Sequence, residues 1–219
     1  MNDSVHPYIE SLVNKRTDLL LEMEEYASEH LVPIMELVGI ENFLQLLRIQ
    51  QPLSILEIGT AIGYSALRMA ETLPNCRIVS IERDSVRYEE AKAFVNRSPY
   101  KDRITLIYGD ALEVKEQVYK FKQFDAVFID AAKAQYQKFF DLYSPLLSEE
   151  GIIYTDNVLF KGFVANIDQV RSRNIRMLVK KIQRYNEWLM KHPDYDTSIV
   201  PVGDGMAISI KRGGKNEET

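Results

Sequence analysis

Residues 53–63, LSILEIGTAIG, join a short apolar run to a turn that contains two glycines. Positions 53–58 are apolar on both faces of an extended chain, which is typical of a strand buried inside a parallel sheet. From Tyr64 and Ser65 onward the apolar residues recur at helical spacing. A buried strand, a tight turn and a helix in this order indicate the first unit of an α/β fold.

The same alternation continues along the chain to residue 157. Short apolar runs at 77–82, 103–110, 124–130 and 151–157 are separated by amphipathic spacers of ten or more residues. Residues 198–210, SIVPVGDGMAISI, place two more strand-like runs around Gly203-Asp204-Gly205, which is a hairpin pattern. We therefore predict a doubly wound, Rossmann-like α/β domain with a mostly parallel seven-stranded sheet and an antiparallel edge hairpin.

The two ends of the chain differ from this pattern. Residues 1–50 show helical spacing and form a predicted N-terminal helical segment, whereas residues 213–219, GGKNEET, have the composition of a disordered tail. We expect residues 1–212 to form a single domain.

Composition limits the class of protein. The 219 residues are 46% hydrophobic, enough for one buried core, and the single cysteine excludes internal disulfides. Three scattered histidines do not suggest a zinc site, no apolar run approaches the ~18 residues that span a bilayer, and the N-terminus lacks a signal-peptide pattern. We expect a soluble, cytoplasmic protein with no membrane partner.

Polar residues follow the first three strands, where ligands of open parallel sheets bind. The first turn reads E-x-G-x-x-x-G from Glu57 through Gly59, which differs from the G-x-G-x-x-G of dinucleotide folds. An acid there favours a positively charged ligand, and S-adenosylmethionine carries an ammonium and a sulfonium. Glu82 is placed to accept the ribose hydroxyls, and Asp110 with Ala111 could hold the adenine. Each residue could instead be an ordinary cap or turn residue.

Two acids and an amide follow the fourth and fifth strands. Asp130 ends FIDAAK, with Lys133 three residues later, and Asp156 and Asn157 end YTDN. If these strands are neighbours, about 4.8 Å apart, the side chains converge on one ion. Two carboxylates and an amide oxygen suit Mg²⁺ or another hard divalent cation. The alternative is that Asp130 caps a helix and Asp156-Asn157 makes a turn.

Taken in order, the blocks LEIGTAIGYSALRMA, IERD, GDA, FIDAAK, YTDNVLFKG and VGDGMAISIK resemble the cation-dependent class I O-methyltransferases of the catechol and caffeoyl-coenzyme A type, over roughly residues 30–212. The resemblance implies that Lys133 is the general base and that Asp130, Asp156 and Asn157 hold the metal. In relatives the N-terminal helix packs over the site or forms a dimer interface, so a homodimer is expected. It also implies that S-adenosylmethionine lies around Met35, Glu57, Gly59, Ser65, Glu82, Asp110, Ala111 and Asp130.

The substrate is suggested by charge. Residues 161–191 hold eight Lys and Arg against two acids, although the whole chain has a net charge of −5. A cationic stripe on one helix face would attract phosphates, and within the family the sequence most resembles the bacterial enzymes that methylate 5-hydroxyuridine at the tRNA wobble position. We therefore expect the tRNA anticodon region as partner, contacted by Arg173, Arg176, Lys180 and Arg184.

Three other functions remain open. A small catechol or phenol could be the substrate, in which case the basic helix is a solvated face or a dimer contact. A non-catalytic RNA-binding protein is disfavoured by the intact metal and base residues. An NAD-dependent oxidoreductase is disfavoured by the first glycine turn.

Overall fold

The computed structural model describes residues 5–213, so residues 214–219 of the predicted tail lie outside the described range. The strands are β1 (Ser54–Ile58), β2 (Arg77–Glu82), β3 (Ile104–Tyr108), β4 (Phe124–Ile129), β5 (Leu147–Thr155), β6 (Tyr195–Val200) and β7 (Met206–Lys211). The α-helices are α1 (Val5–Leu12), α2 (Asp18–Glu29), α3 (Leu37–Gln50), α4 (Tyr64–Thr72), α5 (Ser85–Arg97), α6 (Lys115–Val118), α7 (Tyr136–Tyr143) and α8 (Arg173–Met190).

The seven strands form one sheet in the order β3-β2-β1-β4-β5-β7-β6. Strands β1 to β5 run parallel, β7 pairs antiparallel with β5, and β6 pairs antiparallel with β7 at the edge of the sheet. The predicted fold is therefore confirmed. Because β1 lies between β2 and β4, the chain reverses its winding direction there and opens a crevice at the carboxyl ends of the strands.

Helices cover both faces of the sheet, and alternate strand residues point to the two layers. Phe128 of β4 stacks on Phe43 of α3, with ring centroids 4.3 Å apart, in the layer that also contains α2, α4 and α5. Val127 and Ile129 point to the opposite layer, which is built from α6, α7 and α8. Burial of both faces explains why the strands are apolar at nearly every position.

The N-terminal segment is joined to α4 by a polar network. Arg16 donates two hydrogen bonds of 2.8 Å to Glu24 of α2. Glu24 also accepts a 2.6 Å hydrogen bond from the hydroxyl of Tyr64, at the start of α4, and Arg68 donates to the same hydroxyl at 2.9 Å. These contacts hold the N-terminal helices against the helix that follows the first glycine turn.

The basic helix α8 begins after Ser172, whose hydroxyl accepts a hydrogen bond from the amide of Ile175. Val179, Ile182 and Leu189 are buried as its pattern predicts. Ile175, in the first turn of α8, is 39% exposed. No helix in residues 5–213 has the length and apolar composition needed to cross a membrane.

Candidate active site

One cavity of about 520 Å³ lies at the carboxyl ends of the parallel strands. Its wall is formed by residues that follow β1 to β5, together with the stretch that leads into α3 and the β6–β7 turn. The sequence-predicted residues on this wall are Met35, Gly59, Glu82, Asp110, Ala111, Asp130, Lys133, Asp156 and Asn157. The cavity thus brings together the predicted cofactor and metal halves.

The two halves touch at Gly59. Its φ is +104°, and a Cβ added there would lie 1.9 Å from the carbonyl oxygen of Asp130. Any side chain would therefore push the first turn away from the end of β4. The amide of Asp130 also donates a 2.9 Å hydrogen bond to the carbonyl of Ile58. Gly59 is thus required by close backbone packing between the two halves as well as by the turn.

Glu57 lies beneath the glycine turn and is fully buried. The hydroxyls of Ser65 and Ser80 each donate a short hydrogen bond to its carboxylate. Burial raises the pKa of Glu57 to about 7, and the two hydroxyl donors oppose that rise. Glu57 and Ser65 were both predicted to contact the cofactor. In the structure they are hydrogen-bonded to each other beneath the first glycine turn and do not line the cavity.

Glu82 is placed differently, at the cavity wall. One of its carboxylate oxygens accepts a 2.8 Å hydrogen bond from the amide of Ala61, and the other accepts one of 2.8 Å from the amide of Asp84. A carboxylate has about four acceptor positions, so capacity remains for ligand hydroxyls. The residue both ties the first turn to the second strand end and presents acceptors to the cavity.

Asp110 and Ala111 form the next section of the wall. The carboxylate of Asp110 accepts a 2.9 Å hydrogen bond from the amide of Leu112, so it caps the following turn as the alternative interpretation proposed. Its other oxygen lies 3.6 Å from the guanidinium of Arg83. The capping role and the position on the cavity wall are compatible, because the cap fixes the direction of the adjoining Ala111.

The metal half is formed where β4 and β5 end side by side. The amide of Asp156 donates a 3.0 Å hydrogen bond to the carbonyl of Ile129, which fixes the two strand ends in register. The side-chain amide of Asn157 donates to Asp156 at 2.9 Å, which leaves the Asn157 carbonyl oxygen as a donor atom for a cation. Asn157 has a φ of +63°, a conformation that asparagine tolerates better than most residues.

The two carboxyl groups of this half are electrostatically unfavourable as a pair. Loss of hydration raises the pKa of Asp130 to about 6 and that of Asp156 to about 7, and repulsion from Asp130 adds to the rise at Asp156. The ammonium of Lys133 acts in the opposite direction on both. Uncompensated buried negative charge of this kind is what a divalent cation would neutralise.

Lys133 is half-buried on the wall, at the start of the turn before α7. Its ammonium lies 5.7 Å from the ring centroid of Phe160, within the range of a cation–π contact. Phe160 in turn meets Phe163 edge-to-face, with ring centroids 6.0 Å apart. In the loop after the metal residues, Phe160 therefore packs beside Lys133 and Phe163 packs against Phe160.

Sequence reasoning missed the residues that shape this loop. The backbone carbonyl of Asp204, in the β6–β7 turn, accepts hydrogen bonds from the amides of Leu159 (2.8 Å) and Phe160 (3.2 Å). Its carboxylate accepts another from the amide of Lys161 at 3.1 Å. The VGDG pattern indicated a turn, but no local signal indicates that the turn supports a loop some forty residues earlier in the chain.

The pKa values of this pair predict how the metal-free protein responds to pH. Because both acids ionise at higher pH in the folded chain than in the unfolded chain, the free energy of unfolding should fall as pH rises from about 4 to about 7. We expect Asp156→Asn to reduce that fall and to raise the melting temperature at pH 7 in EDTA, by on the order of 5 °C.

Thermal unfolding at pH 5 and pH 7.5, followed by circular dichroism in EDTA, measures this effect. Asp102→Asn, an exposed acid before β3, is the matched control and should leave the pH dependence unchanged. If the melting temperature of Asp156→Asn has the same pH dependence as that of the original chain, the ionised Asp130–Asp156 pair does not destabilise the metal-free fold.

Comparison with known proteins identifies the family of the chain. The O-methyltransferase family pattern matches residues 10–212. A catechol O-methyltransferase from Niastella koreensis is 30% identical over 218 residues, which cover 95% of this chain and 96% of that protein.

Solved structures agree as well. A candidate caffeoyl-CoA O-methyltransferase from Staphylococcus aureus is 42% identical, with a TM-score of 0.90 over 96% of this chain and 100% of that one. A Bacillus cereus O-methyltransferase in complex with SAH is 25% identical, with a TM-score of 0.81 over 95% and 97% of the two chains. By sequence and by fold, this chain belongs to the O-methyltransferase family.

Proposed function

We propose that the chain transfers the methyl group of S-adenosylmethionine to a hydroxyl oxygen of a substrate that presents two adjacent oxygens to a divalent cation. The observation that carries the proposal is that one cavity wall joins Gly59, Glu82 and Ala111 on one side to Asp130 and Asp156 on the other. The similar Bacillus cereus enzyme binds SAH, the demethylated product of such a donor, which supports the choice of cofactor.

The residues at the end of β4 and β5 fit a hard divalent cation. In the described part of the chain no three His, Cys, Asp or Glu side chains are grouped as metal ligands, so a cation site at these strand ends would need an amide oxygen beside its two carboxylates. The candidate ligands are therefore the carboxylates of Asp130 and Asp156 and the amide oxygen of Asn157, which are oxygen donors of the kind that Mg²⁺ prefers. Three protein ligands leave positions for two substrate oxygens, and the cation would lower the pKa of a substrate hydroxyl bound there.

The chain's own residues supply the rest of the chemistry. Lys133 lies on the cavity wall beside the metal half, where its amine can accept the proton that the substrate hydroxyl loses. The oxygen then attacks the sulfonium methyl group in line, the sulfur–carbon bond breaks, and S-adenosylhomocysteine leaves as a neutral thioether. Glu82 and the Asp110–Ala111 turn hold the nucleoside end of the donor, so the reaction depends mainly on positioning.

A catechol or related phenol is the substrate class that the relatives favour. Catechol carries two adjacent hydroxyls, one of which is methylated while the other remains a ligand. The Niastella koreensis relative is a catechol O-methyltransferase, and the Staphylococcus aureus structure is a candidate caffeoyl-CoA O-methyltransferase. Phe160 lies beside Lys133 and packs against Phe163, and an aromatic substrate ring would find apolar surface there.

A second candidate is 5-hydroxyuridine in tRNA, whose O5 hydroxyl adjoins the C4 carbonyl. The observation in its favour is a basic surface formed by Arg173, Lys180 and Arg184, which are exposed at helical spacing on α8, together with the exposed Lys161 on the cavity wall. Arg176 contributes less to this surface, because its guanidinium donates hydrogen bonds of 2.7 and 3.2 Å to the carbonyl of Val170.

Methyl transfer from labelled S-adenosylmethionine tests the proposal and separates the two substrates. The purified chain is incubated with a simple catechol, and in parallel with tRNA that carries 5-hydroxyuridine, with and without EDTA. Labelling that EDTA removes supports the proposed chemistry, and the labelled substrate identifies the class. Labelling that persists in EDTA, or none on either substrate, would contradict the proposal.

Reversing charge on the basic surface gives a second discriminating result. If tRNA is the substrate, Arg173→Glu/Lys180→Glu should weaken tRNA binding and lower its salt slope by about 1 for each lost phosphate contact. Catechol methylation should be unaffected, because both residues are on the outer face of α8. Filter binding from 50 to 300 mM salt, about the range over which phosphate contacts weaken, measures the slope.

The matched control reverses charge near the amino ends of two parallel strands, whereas the cavity lies at their carboxyl ends. Lys101 and Lys120 are exposed and precede β3 and β4, so Lys101→Glu/Lys120→Glu makes the same change in net charge far from the cavity. Equal losses of tRNA affinity in both double variants would indicate a general charge effect and would show that the basic surface is not the tRNA-binding site.

A further inference from the structure

Two tyrosines on α7 contact the backbone of the two halves of the site. Tyr136 and Tyr143 are seven residues apart, hence about two helical turns or 10 Å, and occupy the same side of the helix. Their exposed fractions are 1% and 0%. Neither tyrosine lines the cavity.

Each hydroxyl donates to a main-chain carbonyl at a site residue. The Tyr136 hydroxyl donates to the carbonyl of Asp156 at 2.9 Å, directly behind the metal half. The Tyr143 hydroxyl donates to the carbonyl of Ala111 at 2.5 Å, behind the predicted adenine contact.

The surroundings of the two rings make these contacts rigid. Tyr136 packs against Tyr185 of α8, with ring centroids 5.3 Å apart, and the Tyr185 hydroxyl shares a 2.9 Å hydrogen bond with Thr155, the residue before Asp156. Phe139 and Phe140, between the two tyrosines, are also buried in the same core layer. A short helix fixed by so many buried rings has little freedom to move relative to the sheet.

We propose that α7 is a positioning helix for methyl transfer, in which Tyr136 holds the metal half and Tyr143 holds the cofactor half at a fixed separation. This inference rests on the proposed function, because it assigns the cation to Asp156 and the nucleoside to Ala111. Neither tyrosine touches the reacting atoms. Their effect is to fix the distance between Ala111, after β3, and Asp156, after β5. A larger distance would separate the methyl group of the donor from the hydroxyl oxygen of the substrate.

Separate binding measurements test the two contacts. Isothermal titration of metal-free protein with S-adenosylhomocysteine reports on the cofactor half, and titration with Mn²⁺ followed by electron paramagnetic resonance reports on the metal half. We expect Tyr143→Phe to weaken S-adenosylhomocysteine binding about tenfold and to leave Mn²⁺ binding unchanged. We expect Tyr136→Phe to show the opposite pattern, with Mn²⁺ binding weakened about tenfold.

Tyr154→Phe is the matched control. Tyr154 is 1% exposed, and its hydroxyl donates a 3.0 Å hydrogen bond to the side chain of Gln50, on the other face of the sheet. The control should change neither affinity, although it loses a hydrogen bond from a similarly buried ring. If both α7 variants alter both affinities equally, or neither alters any, the inference is wrong. If the unaltered chain binds neither ligand, the proposed function is wrong instead.

Discussion

Asp156→Ala is expected to lower metal-dependent methyl transfer by more than about a hundredfold, the upper range for residues that only support metal ligands. The carboxylate is one of three proposed ligands, and alanine offers no atom to replace it. The fold should persist, because Asp156 is a desolvated acid whose raised pKa shows that its charge is unfavourable in the metal-free chain. We expect the melting temperature in EDTA to be unchanged or higher.

Three measurements on one preparation check this result: turnover with and without Mg²⁺, Mn²⁺ affinity, and melting temperature in EDTA. Asp102→Ala, at the opposite edge of the sheet, should match the original chain in all three. Undiminished turnover in Asp156→Ala would remove the cation from the mechanism. Lost turnover together with a collapsed melting temperature would indicate a folding role for Asp156.

Lys133→Met is expected to lower kcat by about 10²–10⁴, the range for a lost general base. Methionine keeps most of the side-chain length and its packing against Phe160, so the change removes mainly the amine. Cation binding should be retained, because Lys133 is not a ligand. Lys138→Met, an exposed lysine on α7, is the control and should have full activity.

The choice of substrate separates loss of the base from general damage. 4-Nitrocatechol has a more acidic hydroxyl than catechol and is already substantially ionised near neutral pH, so it depends less on a base. We expect the deficit of Lys133→Met to be much smaller with 4-nitrocatechol than with catechol. An equal deficit on both substrates would show that Lys133 acts by positioning and does not take the proton.

The fold could be predicted because its signals are local. Each strand is a short apolar run, each spacer has helical periodicity, and the Gly203-Asp204-Gly205 turn marks the hairpin. The gathering of Glu82, Asp130 and Asp156 around one cavity also follows, since parallel strands end at the same edge of a sheet.

The position of Glu57 shows what the linear pattern omits. In a strand, Glu57 points to the same face as Ile55, into the layer beneath α4, which a period of two could have indicated. Its partner Ser80 lies directly opposite on β2, and that pairing follows only from the register of two strands. The sequence marked Glu57 as a cofactor contact, whereas in the structure its buried carboxylate accepts hydrogen bonds from Ser65 and Ser80 and lies off the cavity wall.

The α7 tyrosines escaped prediction for a related reason. Tyr136 and Tyr143 have the spacing of ordinary core residues, and their rings are core residues. Only the three-dimensional structure shows that their hydroxyls reach carbonyls of residues 156 and 111.

The support that the β6–β7 turn gives to the metal loop has a consequence for protein engineering. Residues 158–161 take their shape from Asp204 and Gly205, and a Cβ on Gly205 would lie 2.3 Å from the side chain of Leu159. Loop and turn therefore form one exchangeable module, although they are distant in the chain. Chimaeras that transplant residues 156–163 from another family member should retain a working site only when residues 202–206 are transplanted from the same donor.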